Sequence, residues 1–146
     1  MNYESRMWER IRDTVRSVGV ATRIESGGLV SGIPDIAYAV RGQSGWIECK
    51  SIANPPKRAN HSFDIGSLTE VQKKWHLRWS QHTHTFIYIE VRNPGVHIFI
   101  PGRLAGMFGV YPYGRFLEVA SCWFGGAFQR QTVLDLLIAE SPPVSN

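Results

Sequence analysis

Cysteine is scarce. Only Cys49 and Cys122 occur in 146 residues, too few for a disulfide scaffold and in keeping with a reducing compartment. Long apolar runs are missing too, none approaching the roughly 20 residues of a membrane span. The stretch MNYESRMWERIRD is charged and lacks the apolar segment of a signal peptide, so no membrane association and a cytoplasmic location are expected. No repeat of roughly 20–50 residues occurs. Low complexity is confined to residues 141–146, expected to fray as a flexible tail. The glycine-containing run Gly27-Gly28-Leu29-Val30-Ser31-Gly32 lacks the Lys-Ser/Thr of a phosphate-binding loop, so no nucleotide cofactor is expected. Zinc chemistry is also disfavoured. His82-Thr83-His84 has no cysteine or third histidine at ligand spacing, and neither cysteine has a nucleophile signature.

What is present describes a folded domain. Hydrophobic residues make up 43% and aromatics 12% of the chain, which excludes wholesale disorder. The length suits one domain, expected over residues 1–140. Residues 1–80 hold 12 Lys+Arg against 8 Asp+Glu, whereas residues 81–146 hold four of each. The excess positive charge is therefore confined to the first part of the chain, and a pI near 9.3 points to a polyanionic partner.

Apolar spacing predicts a first helix over residues 3–18, with Trp8, Ile11, Val15 and Val18 as its stripe and Gly19 as its stop. A short strand over residues 20–25 follows, then a turn at residues 26–28. Strands over residues 33–40 and 46–52 are joined by Arg41-Gly42-Gln43-Ser44-Gly45, a hairpin connection. Residues 53–67 have no period and form a long loop of the kind that is functional or mobile. A helix over residues 69–81 is expected, with Thr69 as N-cap and Leu68, Val71, Trp75 and Trp79 as its apolar stripe. Residues 85–91 and 96–100 should pair antiparallel about Asn93-Pro94-Gly95. Beyond Pro101 a short helix at residues 103–108 and a closing helix at residues 131–139 are expected. This order implies an α/β or α+β sheet with helices packed on it.

One cluster carries chemistry. Asp35 follows Gly32-Ile33-Pro34 in one strand, and Glu48-Cys49-Lys50 lies in the next. Alternation places Glu48 and Lys50 on one face of the strand, with Ile47 and Cys49 on the other. Two converging carboxylates repel unless a cation sits between them. Such hard oxygen ligands suit Mg²⁺, with Mn²⁺ able to substitute, and the metal would polarise a phosphodiester. Lys50 could orient or deprotonate the attacking water or neutralise charge on the phosphate. Cys49 could add its backbone carbonyl as a metal ligand.

Gly-x-Pro-Asp, then Trp46-Ile47-Glu48-Cys49-Lys50, then Leu68-Thr69-x-x-Gln72-Lys73-x-Trp75 resembles the PD-(D/E)xK nuclease superfamily, closest to its VRR-NUC-type and phage Holliday junction resolvase-like branch. The resemblance spans about residues 4–92. It implies a restriction-endonuclease-like fold with a central mixed sheet flanked by helices. It also implies Mg²⁺-dependent hydrolysis of DNA phosphodiesters, with Asp35, Glu48 and Lys50 as the catalytic core and Gln72 as the motif position on the following helix. A further acid on the first helix is often present in such enzymes. Glu4, at the sheet-facing edge of the stripe, is favoured over Glu9, and Glu25 remains a second candidate. Lys57, Arg58, Lys73, Lys74 and Arg78 could track a phosphate backbone, with Arg23 and Ser26 near the scissile phosphate. The implied activity is structure-selective cleavage of branched DNA in recombination or DNA processing. Symmetric cleavage of a four-way junction would require a twofold homodimer. The aromatic residues Phe108, Tyr111, Tyr113, Phe116, Trp123, Phe124 and Phe128 are the expected dimer surface. The alternatives are a nuclease for flaps, ends, nicks or plain duplex, a DNA-binding module that kept the fold without catalysis, and a protein–protein adaptor.

Overall fold

The computed structural model describes residues 2–25 and 32–140. The turn expected at residues 26–28, including Ser26, and the tail at 141–146 lie outside the described residues. The elements in chain order are α1 (Tyr3–Val15), β1 (Gly19–Arg23), β2 (Ile36–Val40), β3 (Gln43–Ile52), α2 (Glu70–Trp79), β4 (His84–Val91) and β5 (Val96–Pro101). A 3₁₀ helix (Gly102–Met107), α3 (Tyr113–Val119), β6 (Cys122–Gly125) and α4 (Arg130–Ile138) complete the fold. The six strands form one mixed sheet in sequence order, and β3 and β4 are its only parallel pair. A parallel pair requires a crossover, and the segment from residue 53 through α2 provides it.

Helices cover both faces. On one, Met7, Ile11 and Val15 of α1 and Val133 and Leu137 of α4 pack on Ile36, Tyr38, Ile47, Cys49, Phe86, Tyr88 and Phe99. An ion pair from Arg10 to Glu90 at 2.7 Å fastens α1 to β4. On the other face, Ile87, Ile89, Ile98 and Ile100 meet Ala105 of the 3₁₀ helix, Phe116 of α3, and Phe63, Ile65 and Leu68 from the long loop. β4 is buried on both faces for nearly its whole length, as befits a central strand beside a crossover.

Several expectations are corrected by the structure. The β2–β3 hairpin turns on Arg41 and Gly42 alone, both with positive φ (49° and 80°), the conformation of a two-residue type I′ turn. Gln43, Ser44 and Gly45 are therefore paired strand residues opposite Val40, Ala39 and Tyr38. Gly45 is constrained by close packing, since a Cβ there would lie 2.6 Å from the His84 carbonyl and 2.6 Å from the Tyr38 hydroxyl. The stripe expected on α2 turns inward only in part: Leu68, just before the helix, is buried and Trp75 is half-buried. Val71 and Trp79 are exposed, and the buried residues of the helix are Lys73 and His76. α1 ends at Val15 rather than Val18. Two short elements, α3 and β6, were not foreseen.

The long loop is irregular, as expected, but anchored. Phe63 packs edge-on against Tyr113 (5.2 Å between ring centres) and Phe116 (5.8 Å), and its backbone pairs with Tyr111 and Gly109. This packing accounts for the aromatic C-terminal third. Phe108, Phe116 and Phe124 are buried in the core, Tyr111, Tyr113 and Phe128 are half-buried, and only Trp123 of the expected dimer surface is exposed. Among the described residues no helix is long and apolar enough to cross a membrane.

Candidate active site

The acids meet where the β2–β3 ladder stops. The last paired residues are Ile36 and Ile47, so Asp35 and Glu48 stand opposite one another one step beyond. Directly opposed residues of an antiparallel pair point to the same face, here the face covered by α2. Gly32, with φ +88°, begins the approach. A side chain there would collide with the Val71 carbonyl oxygen at 3.0 Å, so glycine lets the Gly-x-Pro-Asp segment lie against the start of α2.

Asp35 Oδ2 accepts the Cys49 backbone N–H at 2.8 Å. The ladder would otherwise leave that amide unpaired, and the carboxylate takes the place of a strand. The N–H and C=O of one strand residue point to the same edge, so the Cys49 carbonyl is aimed toward the same gap as Asp35. The Cys49 thiol is fully buried among the core residues and burial pushes its pKa well up.

Glu48 is 2% exposed. Its Oε1 accepts a hydrogen bond from Gln72 Nε2 at 3.0 Å and lies 3.5 Å from Lys50 Nζ. Its Oε2 is buried with no hydrogen-bond partner among the described residues. Burial, then the negative charge of Asp35, pushes the Glu48 pKa up to about 8, against the pull of Lys50. Asp35 is also raised, chiefly by burial, with the Cys49 amide, the charges of Lys50 and Arg23, and hydrogen bonding with the protonated Glu48 carboxyl opposing. Glu4 is raised by burial and by Asp35. The first-helix acid therefore shares the electrostatics of the strand pair. Glu25 is exposed, and among the described residues no hydrogen bond or ion pair joins it to the cluster.

Lys50 is buried, and its Nζ donates to the Ser67 carbonyl at 2.7 Å. Gln72 is fixed at both ends. Its Oε1 accepts the Thr69 N–H at 2.9 Å, Thr69 Oγ1 accepts the Gln72 N–H at 3.2 Å, and Nε2 goes to Glu48. This capping box makes the start of α2 and the carboxylate one assembly. One turn on, His76 is fully buried with neither ring nitrogen paired among the described residues. Burial and the charge of Lys50 lower its pKa to about 4.

Sequence reasoning missed Ser67 and His76 as members of this site. A backbone carbonyl leaves no sequence signal, whereas the Thr69-x-x-Gln72 capping box was readable. Of the expected phosphate contacts, Arg23 lies at the site, its guanidinium donating to Ser5 Oγ at 3.0 Å and its charge lowering the pKa of both Asp35 and Glu4. Lys73 does not serve as a free cation. It is buried and paired with Asp64 (3.4 Å) and Glu70 (3.3 Å). Lys57, Arg58, Lys74 and Arg78 are exposed.

The donor set fits a small divalent cation. Asp35 keeps one oxygen free of the Cys49 amide, Glu48 Oε2 is orphaned and buried, and the mutual repulsion of the two carboxylates is what a cation would relieve. Among the described residues no three His, Cys, Asp or Glu side chains are grouped closely enough to cage a metal on their own, so water or phosphate oxygens would complete the shell. A cavity of about 360 Å³ opens elsewhere, between Ser80, Thr85, Arg103, Ser121 and Glu140, and does not include the acids.

No family model and no curated protein matches this chain.

Proposed function

We propose that this chain is a Mg²⁺-dependent, structure-selective DNA endonuclease of the PD-(D/E)xK type, with a restriction-endonuclease-like arrangement of its mixed sheet and a Holliday junction resolvase-like action. The observation that carries the reading is the Asp35–Glu48–Lys50 cluster, with Glu48 and Lys50 buried, Asp35 half-buried, and a Glu48 Oε2 that no donor among the described residues reaches. Two carboxyl groups set side by side under a helix are costly to ionise, and without a metal Glu48 keeps its proton up to about pH 8. The ordered motif around it and the positive charge of residues 1–80 support the same reading.

When bound, Mg²⁺ supplies Lewis-acid polarisation of the phosphoryl group. Asp35 and Glu48 would hold it, with the Cys49 carbonyl and Glu4 as further oxygen donors. Lys50, held by Ser67, presents an ammonium beside the carboxylates, where it stabilises negative charge on the phosphoryl oxygens and orients the attacking water. Gln72 positions Glu48 so that Oε2 remains the free oxygen. Arg23 offsets substrate negative charge at the rim. One site per chain cuts one strand, so paired incision of a junction calls for a twofold homodimer.

The test is cleavage of end-labelled four-way junction, flap, single-stranded and linear duplex DNA in Mg²⁺, with EDTA and Asp35→Asn as controls. Paired nicks in the junction, abolished by both controls, are expected. DNA binding without metal-dependent cleavage of any substrate would overturn the proposal.

A further inference from the structure

The outer side of α2 leaves more apolar surface in solvent than a helix covering a sheet requires. Val71 is 50%, Leu77 38% and Trp79 41% exposed. The aromatic part is ordered. Trp75 and Trp79, one turn apart, are stacked with ring centres 4.8 Å apart and planes within 8°. Trp46 of β3 meets both edge-on, at 5.5 and 5.8 Å. No protein acceptor among the described residues takes any of the three indole N–H groups. A neighbouring file on the same helix is basic. Lys74 and Arg78 are exposed, and among the described residues neither has an acidic partner, Glu70 being engaged by Lys73.

The position matters as much as the composition. Trp46 precedes Glu48 by two residues on the same face of β3, about 7 Å along the strand. Gln72, which holds Glu48, begins the helix that ends at Trp79. An aromatic cluster thus runs from half-buried Trp46 beside the carboxylates, through half-buried Trp75, to exposed Trp79 at the far end of α2, with two cations beside it that lack acidic partners among the described residues.

We propose that Trp46, Trp75 and Trp79 form a stacking platform for unpaired bases, with Lys74 and Arg78 holding the phosphates of the same strand. The substrate then carries a single-stranded stretch beside the bond that is cut. The place of this surface next to the scissile bond rests on the nuclease reading; the binding itself does not. Bases in an intact duplex have their faces covered by their neighbours, whereas an unpaired base offers a π-face to an aromatic ring. Tryptophan and arginine are also common in protein interfaces, whereas lysine is depleted there. Two exposed cations beside the stack, with no acidic partner among the described residues, favour a phosphate-bearing strand.

The experiment uses the full chain carrying Asp35→Asn, in EDTA, so that cleavage plays no part. Fluorescence anisotropy compares a labelled oligothymidylate, an abasic strand of equal length and charge, and a blunt duplex. The oligothymidylate should bind at least tenfold more tightly than the abasic strand. Trp79→Ala should remove about tenfold of that affinity without changing abasic binding, and Trp79→Phe should restore most of it. The double variant Lys74→Ala/Arg78→Ala should weaken both strands and flatten the salt dependence by one to two ions, about 0.7 per phosphate contact. Equal binding of base-bearing and abasic strands would overturn the proposal. So would an unchanged affinity in a Trp79→Ala variant with wild-type circular dichroism, or sedimentation showing that Trp79→Ala turns a dimer into a monomer. Strand binding through Trp79 in a protein that cleaves nothing would retain the platform and discard the nuclease. Metal-dependent cleavage with a silent Trp79 would do the reverse.

Discussion

Replacing Glu48 by glutamine should make the metal-free protein more stable at alkaline pH, and the effect can be sized. The Glu48 pKa stands near 8 in the folded chain against an ordinary value of 4.5. A carboxyl whose pKa is raised on folding contributes stability that is complete below its unfolded pKa and is lost as pH rises through the folded one. At about 1.4 kcal/mol per pKa unit, Glu48 alone should take about 2 kcal/mol from the wild type between pH 6.5 and 8, or roughly 4–8 °C in melting temperature for a chain of this size. His76 has the opposite sign. Its pKa falls from 6.5 to about 4, and burial lowers His84 and His97 as well, so their stability is lost as pH drops through 6.5. The upper end of that titration enters the window, opposes the Glu48 slope and is common to both proteins. In Glu48→Gln the downward contribution should be gone, leaving a flat or slightly rising profile from the histidines. At pH 8 the relief of up to about 4 kcal/mol, less 1–3 kcal/mol for an unpaired buried amide, leaves a net gain of about 1–3 kcal/mol. Thermal unfolding followed by circular dichroism in EDTA measures both quantities. Adding Mg²⁺ at pH 8 should raise the wild-type transition and leave that of Glu48→Gln in place. A wild-type melting temperature that is flat or rising from pH 6.5 to 8, matched in parallel by Glu48→Gln, would refute the strained-carboxylate argument.

Other substitutions probe the site and its frame. Asp35→Asn and Lys50→Ala should each lower metal-dependent cleavage by at least about a hundredfold in a gel assay of labelled junction DNA, with the far-ultraviolet circular dichroism unchanged. Gln72→Ala removes half of the capping box and one hydrogen bond to Glu48. It should cost about 1 kcal/mol in urea unfolding and a larger factor in cleavage than that loss of stability explains. Gly45→Ala places a methyl group 2.6 Å from the His84 carbonyl and the Tyr38 hydroxyl. It should destabilise the chain by about 1–3 kcal/mol, whereas Gly42→Asn, at an open turn position with φ 80°, should change the urea midpoint little.

The part of this architecture that could be read from sequence is the part governed by local period. Alternation in Trp46-Ile47-Glu48-Cys49-Lys50 places Glu48 and Lys50 on one face and Ile47 and Cys49 on the other, and the structure has that division. Thr69 as N-cap was legible from its residue type. The buried face of α2 was not, because the helix lies over a charged cluster. Of the residues turned inward, Gln72 bonds Glu48, Lys73 pairs with Asp64 and Glu70, and His76 is buried one turn on, while the tryptophans that mimic a core stripe lie to the side. β6 escaped notice because four residues carry too little pattern. It is held by long-range pairing with Val96–Phe99, which sequence periodicity does not register. The five-residue hairpin connection was overestimated because polar Gln43 and Ser44 suggest a loop, while the left-handed conformation of Arg41 and Gly42 closes the turn in two residues.

The long loop between β3 and α2 has two mechanically different parts. Its root, from Phe63 to Leu68, is clamped by an aromatic box and ends at the carbonyl of Ser67 that holds Lys50. Its tip, at residues 54–58, carries Lys57 and Arg58 into solvent. The tip can therefore lengthen, shorten or change its charge while the root keeps the lysine in register. A chain built this way can diversify what it recognises without re-evolving its chemistry, and the tip is the place where an engineer would graft a new specificity.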